Sequence, residues 1–290
     1  MGLEGWRPSG VARVTGKLIL ISTPIGNLGD LPPRAVATMR ACALICCEDT
    51  RHSGKLLSHA GISGVRLAVA NEHTEVARTD EVLGLLAAGS DVAVVTDAGT
   101  PGISDPGARL VRAAMDAGFV VSAVPGPAAL VMALVISGFD STRFVFEGFL
   151  PRSGRERTER IAEVAAERRT IVLYEAPHRV ERTVADLGLA CGLERRIALA
   201  RELTKLHEEV WRGTLAEAVA HLAERAPRGE YVVVVEAAPI ADAADDSAVL
   251  AALHMALAGG ADRRTAIATV MKETGVAKRR VYDLALTIPR

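Results

Sequence analysis

Three segments of this chain carry the residue types from which a small-molecule site is built. The longest runs from Val92-Ala93-Val94-Val95-Thr96 into Asp97-Ala98-Gly99-Thr100-Pro101-Gly102-Ile103-Ser104-Asp105-Pro106-Gly107. A second leads from Leu18-Ile19-Leu20-Ile21 to Pro24-Ile25-Gly26-Asn27-Leu28-Gly29-Asp30, and a third from Val120-Val121-Ser122-Ala123-Val124 to Pro125-Gly126-Pro127-Ala128-Ala129. In an open α/β sheet, ligands bind just outside the carboxyl ends of strands, where glycine lets backbone approach closely. The loop after Thr96 is longer than the about two to six residues of a plain strand-to-helix connection. Three such loops read as the walls of one site.

Other chemistries lose ground by absence. No GxxxxGK[ST] occurs, no GxGxxG follows a strand, and HExxH and GxSxG are missing; the seven histidines show no ligand spacing. No metal site is expected. The four cysteines form no CxxC pair, and Cys42, Cys46 and Cys47 lie in or beside an apolar run, so free buried thiols in a reducing cytoplasm are expected. The net charge of −1 advertises no global attraction to nucleic acid, although a local patch suffices for that. No apolar stretch of membrane length and no signal-peptide core appears.

The elements that must position these loops follow from the apolar pattern. Strand-like runs at 18–21, 43–47, 66–69, 92–96 and 120–124 alternate with helical patterns such as 34–40 and 80–88, which predicts βαβ crossovers and a mostly parallel sheet. Turn residues at 137–141 mark a boundary. Beyond it, strands at 144–146, 170–174, 196–199, 208–212 and 231–235 predict a second, mixed sheet with antiparallel pairs, and 155–168 a charged helix. Interleaved glutamates make the 152–160 arginine group read as a solvated helix face sooner than a phosphate track. The expected organisation is a flexible tail 1–14, an α/β domain 15–138, an α/β domain 139–240, and a linker with a helical tail, 241–290. In that tail, a turn at Gly275 puts Val270, Val276, Val281 and Leu284 at the apolar core positions of a helix-turn-helix, with Lys278, Arg279 and Arg280 opening its second helix. Phosphate contact and a purely structural cap or dimer contact remain open there.

Seven ordered motifs resemble one family. They are 24–30, Glu48-Asp49-Thr50-Arg51-His52, Asp97-Ala98-Gly99-Thr100-Pro101 with Ser104-Asp105-Pro106-Gly107, Pro125-Gly126-Pro127, Glu147-Gly148-Phe149-Leu150-Pro151, Tyr174-Glu175-Ala176-Pro177-His178-Arg179 and Ala200-Arg201-Glu202-Leu203-Thr204-Lys205. Together they are similar to the ribosomal RNA small-subunit methyltransferase I group of the tetrapyrrole methylase superfamily. The resemblance implies two α/β domains with S-adenosylmethionine in the cleft between them, a helix-turn-helix-like tail, and a homodimer. It carries cofactor contacts onto Pro24, Ala98, Gly99, Thr100, Ile103, Ala128, Ala129, Glu175 and Leu203. An Asp stands at the Thr100 position in tetrapyrrole-modifying relatives, so the hydrogen bonding there differs. Alanines 128 and 129 also serve as ordinary helix formers.

The implied activity is transfer of a methyl group to a cytidine 2′-hydroxyl of 16S rRNA, free or in the 30S subunit. Such a hydroxyl is a poor nucleophile near neutral pH, so a base or an alkoxide-stabilising cation must sit beside it. Lys205 and Glu202 rank first for that role, followed by Glu48 and Asp49. Arg51, His178 and Arg179, with Lys278, Arg279 and Arg280, are candidate RNA contacts. Asp49–Arg51 and Glu202–Arg201 read equally as structural ion pairs. Two rival functions remain: methylation of a tetrapyrrole carbon, and a non-catalytic, metabolite-sensing DNA-binding regulator.

Overall fold

A computed structural model describes residues 15–71, 74–224, 226–239 and 245–288. The expected tail 1–14 and residues 241–244 of the linker lie outside the described residues. The chain divides into two compact units, one ending at Glu236 and one beginning at Ala237.

In the first unit, strands β1 (Lys17–Ile21), β2 (Leu44–Cys47), β3 (Arg66–Val69), β4 (Val92–Val94) and β5 (Val120–Val124) form an all-parallel sheet of order β3-β2-β4-β1-β5. Side chains alternate across it. Ile19, Ile21, Ile45 and Val95 pack on one face with Met39 and Leu57 of α1 (Pro33–Ala41) and α2 (Thr50–His59). Leu18, Leu44, Val92 and Val94 pack on the other with Leu86 and Leu110 of α3 (Glu75–Ala87) and α4 (Ala108–Asp116). This period of two, with both faces covered, explains why the strands read as continuous apolar runs. Neighbours β1 and β4 send their crossover helices to opposite faces, which opens a crevice at their carboxyl ends.

Strands β6 (Phe144–Phe149), β7 (Thr170–Glu175), β8 (Arg196–Arg201), β9 (Glu209–Thr214) and β10 (Tyr231–Val235) form a second sheet, β6-β7-β10-β8-β9. Only β6–β7 is parallel; the other three pairings are antiparallel. The first strand runs past its expected end at 146 because a register shift between Phe146 and Gly148 lets it continue. Helices α6 (Gly154–Ala166), α7 (Pro177–Cys191) and α8 (Leu215–Glu224) cover one face. The other face is covered by α5 (Ala129–Ser137), whose Leu130, Ala133 and Leu134 pack on Val172, Ala198 and Val234. Sequence position assigns α5 to the first sheet, but its packing joins it to the second.

Buried Glu75 ties two of these elements together. Its Oε1 accepts the N–H groups of Gly107 (3.1 Å) and Leu110 (2.9 Å) at the start of α4, and the residue is 3% exposed. These donors have no intrahelical partner, and a carboxylate at a helix N-terminus is favourable. Glu75→Ala is expected to cost about 2–3 kcal/mol, since both donors would stay buried and unpaired; urea denaturation measures this, and a loss under about 0.5 kcal/mol contradicts the role.

The second unit is three helices, α9 (Asp246–Ala258), α10 (Arg263–Thr274) and α11 (Lys278–Thr287). Gly275 caps α10 at φ +66°, a left-handed turn that glycine adopts freely. Val270, Val276, Val281 and Leu284 are all buried, together with Val249 and Leu253 of α9. Among the described residues no helix is long and apolar enough to cross a membrane.

Candidate active site

The carboxyl ends of β1 and β4 are stitched together by backbone. Thr23 N–H donates to the Gly99 carbonyl (2.9 Å) and Gly99 N–H to the Thr23 carbonyl (3.1 Å). Gly99 therefore owes its place to φ +87°, and its own backbone groups are spent on Thr23. Thr100 Oγ1 donates to the Pro127 carbonyl (3.1 Å) and shares a hydrogen bond with Ser22 Oγ (2.9 Å), so one hydroxyl holds all three loops. Gly126 leaves the room: a Cβ there would stand 2.9 Å from Ser22 Cβ.

Beside this stitch lies a cleft of about 510 Å³, within the usual range for cofactor sites. Ala98, Gly99, Thr100, Ile103, Ala128, Ala129 and Glu175 line it, as does His178. So do residues that the sequence reading did not single out: Ile25, Asp97, Asp105, Phe149, Tyr174, Tyr231 and Val232. Pro24 and Leu203 are buried and not among the lining; Leu203 packs with Ile25 and Leu130 beneath it. Tyr174 accepts the Leu130 N–H through its hydroxyl (3.2 Å) and meets Phe146 edge-on at 4.9 Å. Adjacent apolar and aromatic walls of this kind leave no motif, because they come from both sheets.

Five acidic residues line the cleft; Glu175 and Glu230 are engaged by Arg179 and Lys205, and Glu48, Asp97 and Asp105 have no cationic partner among the described residues. Glu48 Oε1 accepts the Asp97 N–H (3.1 Å), and Asp97 Oδ1 is buried without a hydrogen-bond partner. Nothing among the described residues hydrogen-bonds to Asp105, whose carboxyl is pushed up to about 7 by burial and by the charges of Glu48 and Asp97. Burial, then the neighbouring Asp97 charge, also raises Glu48, against the Asp97 N–H and His52. Ser104, just before Asp105, is held at φ +60°, an unfavourable setting for a residue with a side chain and one found where function demands it. Asp97 and Asp105 were legible in the 97–107 loop as titratable groups at a strand end; which of them faced the cleft was not.

Other candidates stand elsewhere. Lys205 Nζ donates to Glu202 Oε1 and Glu230 Oε2, both at 2.8 Å, and neither Lys205 nor Glu202 lines the cleft. Burial works to lower the Lys205 ammonium, but its two carboxylate partners outweigh it and the group is raised. Burial works to raise the Glu202 carboxyl, but Lys205 and the Glu230 N–H outweigh it and the group is lowered. The raised ammonium of Lys205 keeps its proton and remains a cation, and the ionised Glu202 carboxylate is its counter-charge. Glu202 (φ +50°) and Thr204 (φ +66°) hold this loop against the first one, where a Cβ on Gly26 would overlap Lys205 Cγ at 2.3 Å. The Glu202–Arg201 pair does not form; Arg201 binds Glu209 (2.9 Å) instead. Asp49 caps α2 through the Arg51 N–H and pairs with the Arg51 guanidinium at 2.7 Å, which holds the carboxyl down at about 2. It is a capping ion pair, as the structural alternative had it, and outside the cleft lining. Glu175 is 2% exposed and fully engaged: Oε2 accepts the Thr183 hydroxyl (2.6 Å), and Oε1 accepts the Ala176 N–H (2.9 Å) and lies 3.1 Å from Arg179 Nε. Arg179 also bonds the Leu150 carbonyl, so its head is not free.

All four cysteines are free; burial raises Cys42 to about 11 and, helped by Cys47, Cys46 to about 12, which leaves them inert. Among the described residues no group of His, Cys, Asp and Glu has metal-holding geometry.

A profile of the family described as Tetrapyrrole (Corrin/Porphyrin) Methylases matches residues 17–219. The protein named "Ribosomal RNA small subunit methyltransferase I" of Synechocystis sp. is 45% identical over 94% of this chain and 98% of its own length. Those of Pseudomonas aeruginosa and Escherichia coli O157:H7 are 43% and 39% identical, each over 93% of this chain and over 97% and 95% of their own lengths. Among solved structures, the methyltransferase CobJ superposes with a TM-score of 0.60 at 20% identity, covering 77% of this chain and 95% of that one. A cobalt precorrin-4 methyltransferase, CbiF, gives 0.58 at 15%, over 76% and 94%; both likenesses concern the fold alone. With the family loops 97–107 and 22–30 forming one cleft at the switch point of a parallel sheet, the chain belongs to the tetrapyrrole methylase family and, within it, to the ribosomal RNA small subunit methyltransferase I proteins.

Proposed function

We propose that this protein methylates the ribose 2′-hydroxyl of a cytidine in small-subunit rRNA, with S-adenosylmethionine as donor. The observation that carries the reading is a single cleft in which a buried, unpartnered Asp97 oxygen and two further carboxylates stand beside apolar Ile25, Ile103 and Val232. That donor set suits a cation with a flat heteroaromatic end. When bound, the cofactor supplies an electrophilic methyl group. Ile25, Ile103 and Val232 would enclose its base, Ala98, Ala128 and Ala129 leave it room, and Asp97 with Glu48 would balance its positive charge. Asp105 takes the proton from the attacking hydroxyl, the role first sought at Lys205 and Glu202. Phe149, 51% exposed at the cleft, offers a ring face on which an unstacked base can rest. Positioning supplies much of the remaining rate.

The decisive assay incubates the protein with methyl-labelled S-adenosylmethionine and, separately, 30S subunits, 50S subunits, free 16S rRNA and a tetrapyrrole. Label in an alkali-resistant dinucleotide from 16S rRNA is expected. Label in the tetrapyrrole, or none in either, overturns the reading.

Two α/β domains divided near 138 would flank this cleft, a reading supported by the two separate sheets, with α5 packing on the second of them. Val131, Met132, Val135 and Ile136 of α5 remain 36–58% exposed, an apolar face that supports a homodimer. A cytoplasmic location follows from the substrate.

In the second unit, Arg280 is held bidentately by Asp246, whereas Lys278 and Arg279 are exposed and unpaired among the described residues. Two phosphate contacts therefore replace the three read from sequence. Lys278→Ala/Arg279→Ala is expected to flatten the logarithmic salt dependence of RNA binding by about 1.4–1.8, at roughly 0.7–0.9 per phosphate. Filter binding across salt concentrations checks this; an unchanged slope leaves the unit a structural cap.

A further inference from the structure

The cleft is a poor place for a polyanion, because Glu48, Asp97 and Asp105 all face it. Next to it lies a second cavity of about 300 Å³, and its lining is Arg152, Arg157, His178, Arg179, Arg182 and Thr183, with no carboxylate. His178, at the start of α7, lines both spaces.

The four guanidinium groups divide by burial. Arg157 and Arg179 form a fixed floor. Arg157 is 4% exposed and bonds Asp186 (2.7 Å), the Pro151 carbonyl (3.0 Å) and the Thr183 hydroxyl (3.2 Å). Arg179 is held by Glu175 and the Leu150 carbonyl. Their charges are matched by those two acids. Arg152 and Arg182 form the rim. The guanidinium of Arg152 makes no hydrogen bond among the described residues. Arg182 is 64% exposed and reaches Asp186 only at 3.7 Å and the Arg152 carbonyl only at 3.5 Å. His178 is exposed with no hydrogen-bond partner among the described residues. One unpaired cation, a second held only by a long contact to an Asp186 that Arg157 already engages, and an imidazole thus line one concavity. Nearby arginines have no such freedom: Arg155 pairs with Glu159 at 2.6 Å, and Arg160 with Glu147 at 2.9 Å.

We propose that this cavity seats a backbone phosphate of the RNA substrate, held by Arg152 and Arg182 with His178, immediately beside the nucleotide whose ribose enters the cleft. The inference rests on the rRNA reading above. Arginine is suited to the task because its planar fork matches two phosphate oxygens at once. The arrangement separates charge by function, with carboxylates where the cationic cofactor and the acceptor proton are handled and guanidiniums where the chain of phosphates must pass. It also gives the acceptor ribose a fixed register, since phosphate contacts position a nucleic acid while base contacts select it.

Arg152→Ala/Arg182→Ala tests this, because neither side chain holds the fold. The substrate is the 30S subunit, or 16S rRNA if that is the form methylated. The expected result is a KM for RNA raised about ten- to a hundredfold and a salt slope reduced by about one phosphate. The affinity for S-adenosylmethionine by calorimetry and the melting temperature should be unchanged, and Arg152→Lys/Arg182→Lys should recover part of the KM. Competition by inorganic phosphate at millimolar concentration, with no effect of the double variant on RNA, would mark a free-anion site and overturn the proposal. So would an unchanged KM and slope, or a fall in cofactor affinity and melting temperature, which would indicate a structural role. Failure of the wild-type chain to methylate rRNA would overturn the functional reading itself, independently of this cavity.

Discussion

Asp105→Asn is expected to lower kcat by about a hundred- to ten-thousandfold, the range for loss of a positioned general base, while S-adenosylmethionine affinity changes by only a few fold. The group is placed for the task by the strained Ser104 and by the Glu75 clamp on the start of α4 two residues further on. Its carboxyl is raised to about 7 by burial first and by Glu48 and Asp97 second. A base works only when deprotonated, so kcat/KM in the wild type should climb with pH up to neutrality and flatten above it. Glu48→Gln removes a like charge and should move that rise to lower pH. The same shift has a sign for stability. A carboxyl raised in the folded state binds more protons than in the unfolded chain, so its contribution is present below about 3.8 and is lost as pH rises through about 7. Asp105→Asn should therefore melt higher than the wild type at pH 8 even as it loses activity. A variant that retains wild-type kcat, or a profile unmoved by Glu48→Gln, would remove Asp105 from the reaction.

The largest loss of stability is expected at Glu175, which the family resemblance assigns to the cofactor. Its carboxylate is spent on Thr183, Arg179 and the Ala176 N–H, all within the chain. Glu175→Ala would leave the Arg179 guanidinium, only 19% exposed, without its counter-charge. Removing one partner of such a pair costs about 3 kcal/mol. In a protein of this size that corresponds to a fall of roughly 6–12 °C in Tm. Glu175→Gln keeps a hydrogen-bond acceptor and should lose less. Cofactor affinity measured on the folded Gln variant separates the roles: a value within a few fold of wild type fits a scaffold, and a hundredfold loss would put the carboxylate on the ligand.

How much of this was legible beforehand varies with the range of the interaction. The inner strands β1, β2 and β4 of the first sheet show in the sequence because they are buried on both faces and must be apolar, as Val92, Ala93 and Val94 are. The 24–30, 97–107 and 125–129 loops show because close backbone approach demands glycine and proline at fixed places. Three features of the site depend on contacts far apart in the chain. Lys205 and Glu202 sit three residues apart, but they come within reach of Glu230 only after β8 and β10 pair, so that third charge has no local sign. Asp105 carries the same letters as any loop aspartate; its raised carboxyl follows from burial and from Glu48, just beyond β2, and Asp97, beyond β4, arriving at the same point. Gly99 lines the cleft, and its place there depends on backbone bonds to Thr23, far away in the chain.

The amino-acid sequence by itself determined the parallel first sheet, the mixed second sheet, the loops that meet a ligand, the apolar core of the C-terminal helices and the family. Each of these is written in period, in glycine placement or in an ordered run of motifs, all properties of neighbours along the chain. Tertiary structure decided which charges are free. It bound Asp49 to Arg51, Arg280 to Asp246 and Glu175 to Arg179, and left Asp105, Arg152 and Arg182 without strong partners. A charge acts through distance and dielectric, and both are set by residues that come together only when the chain is folded.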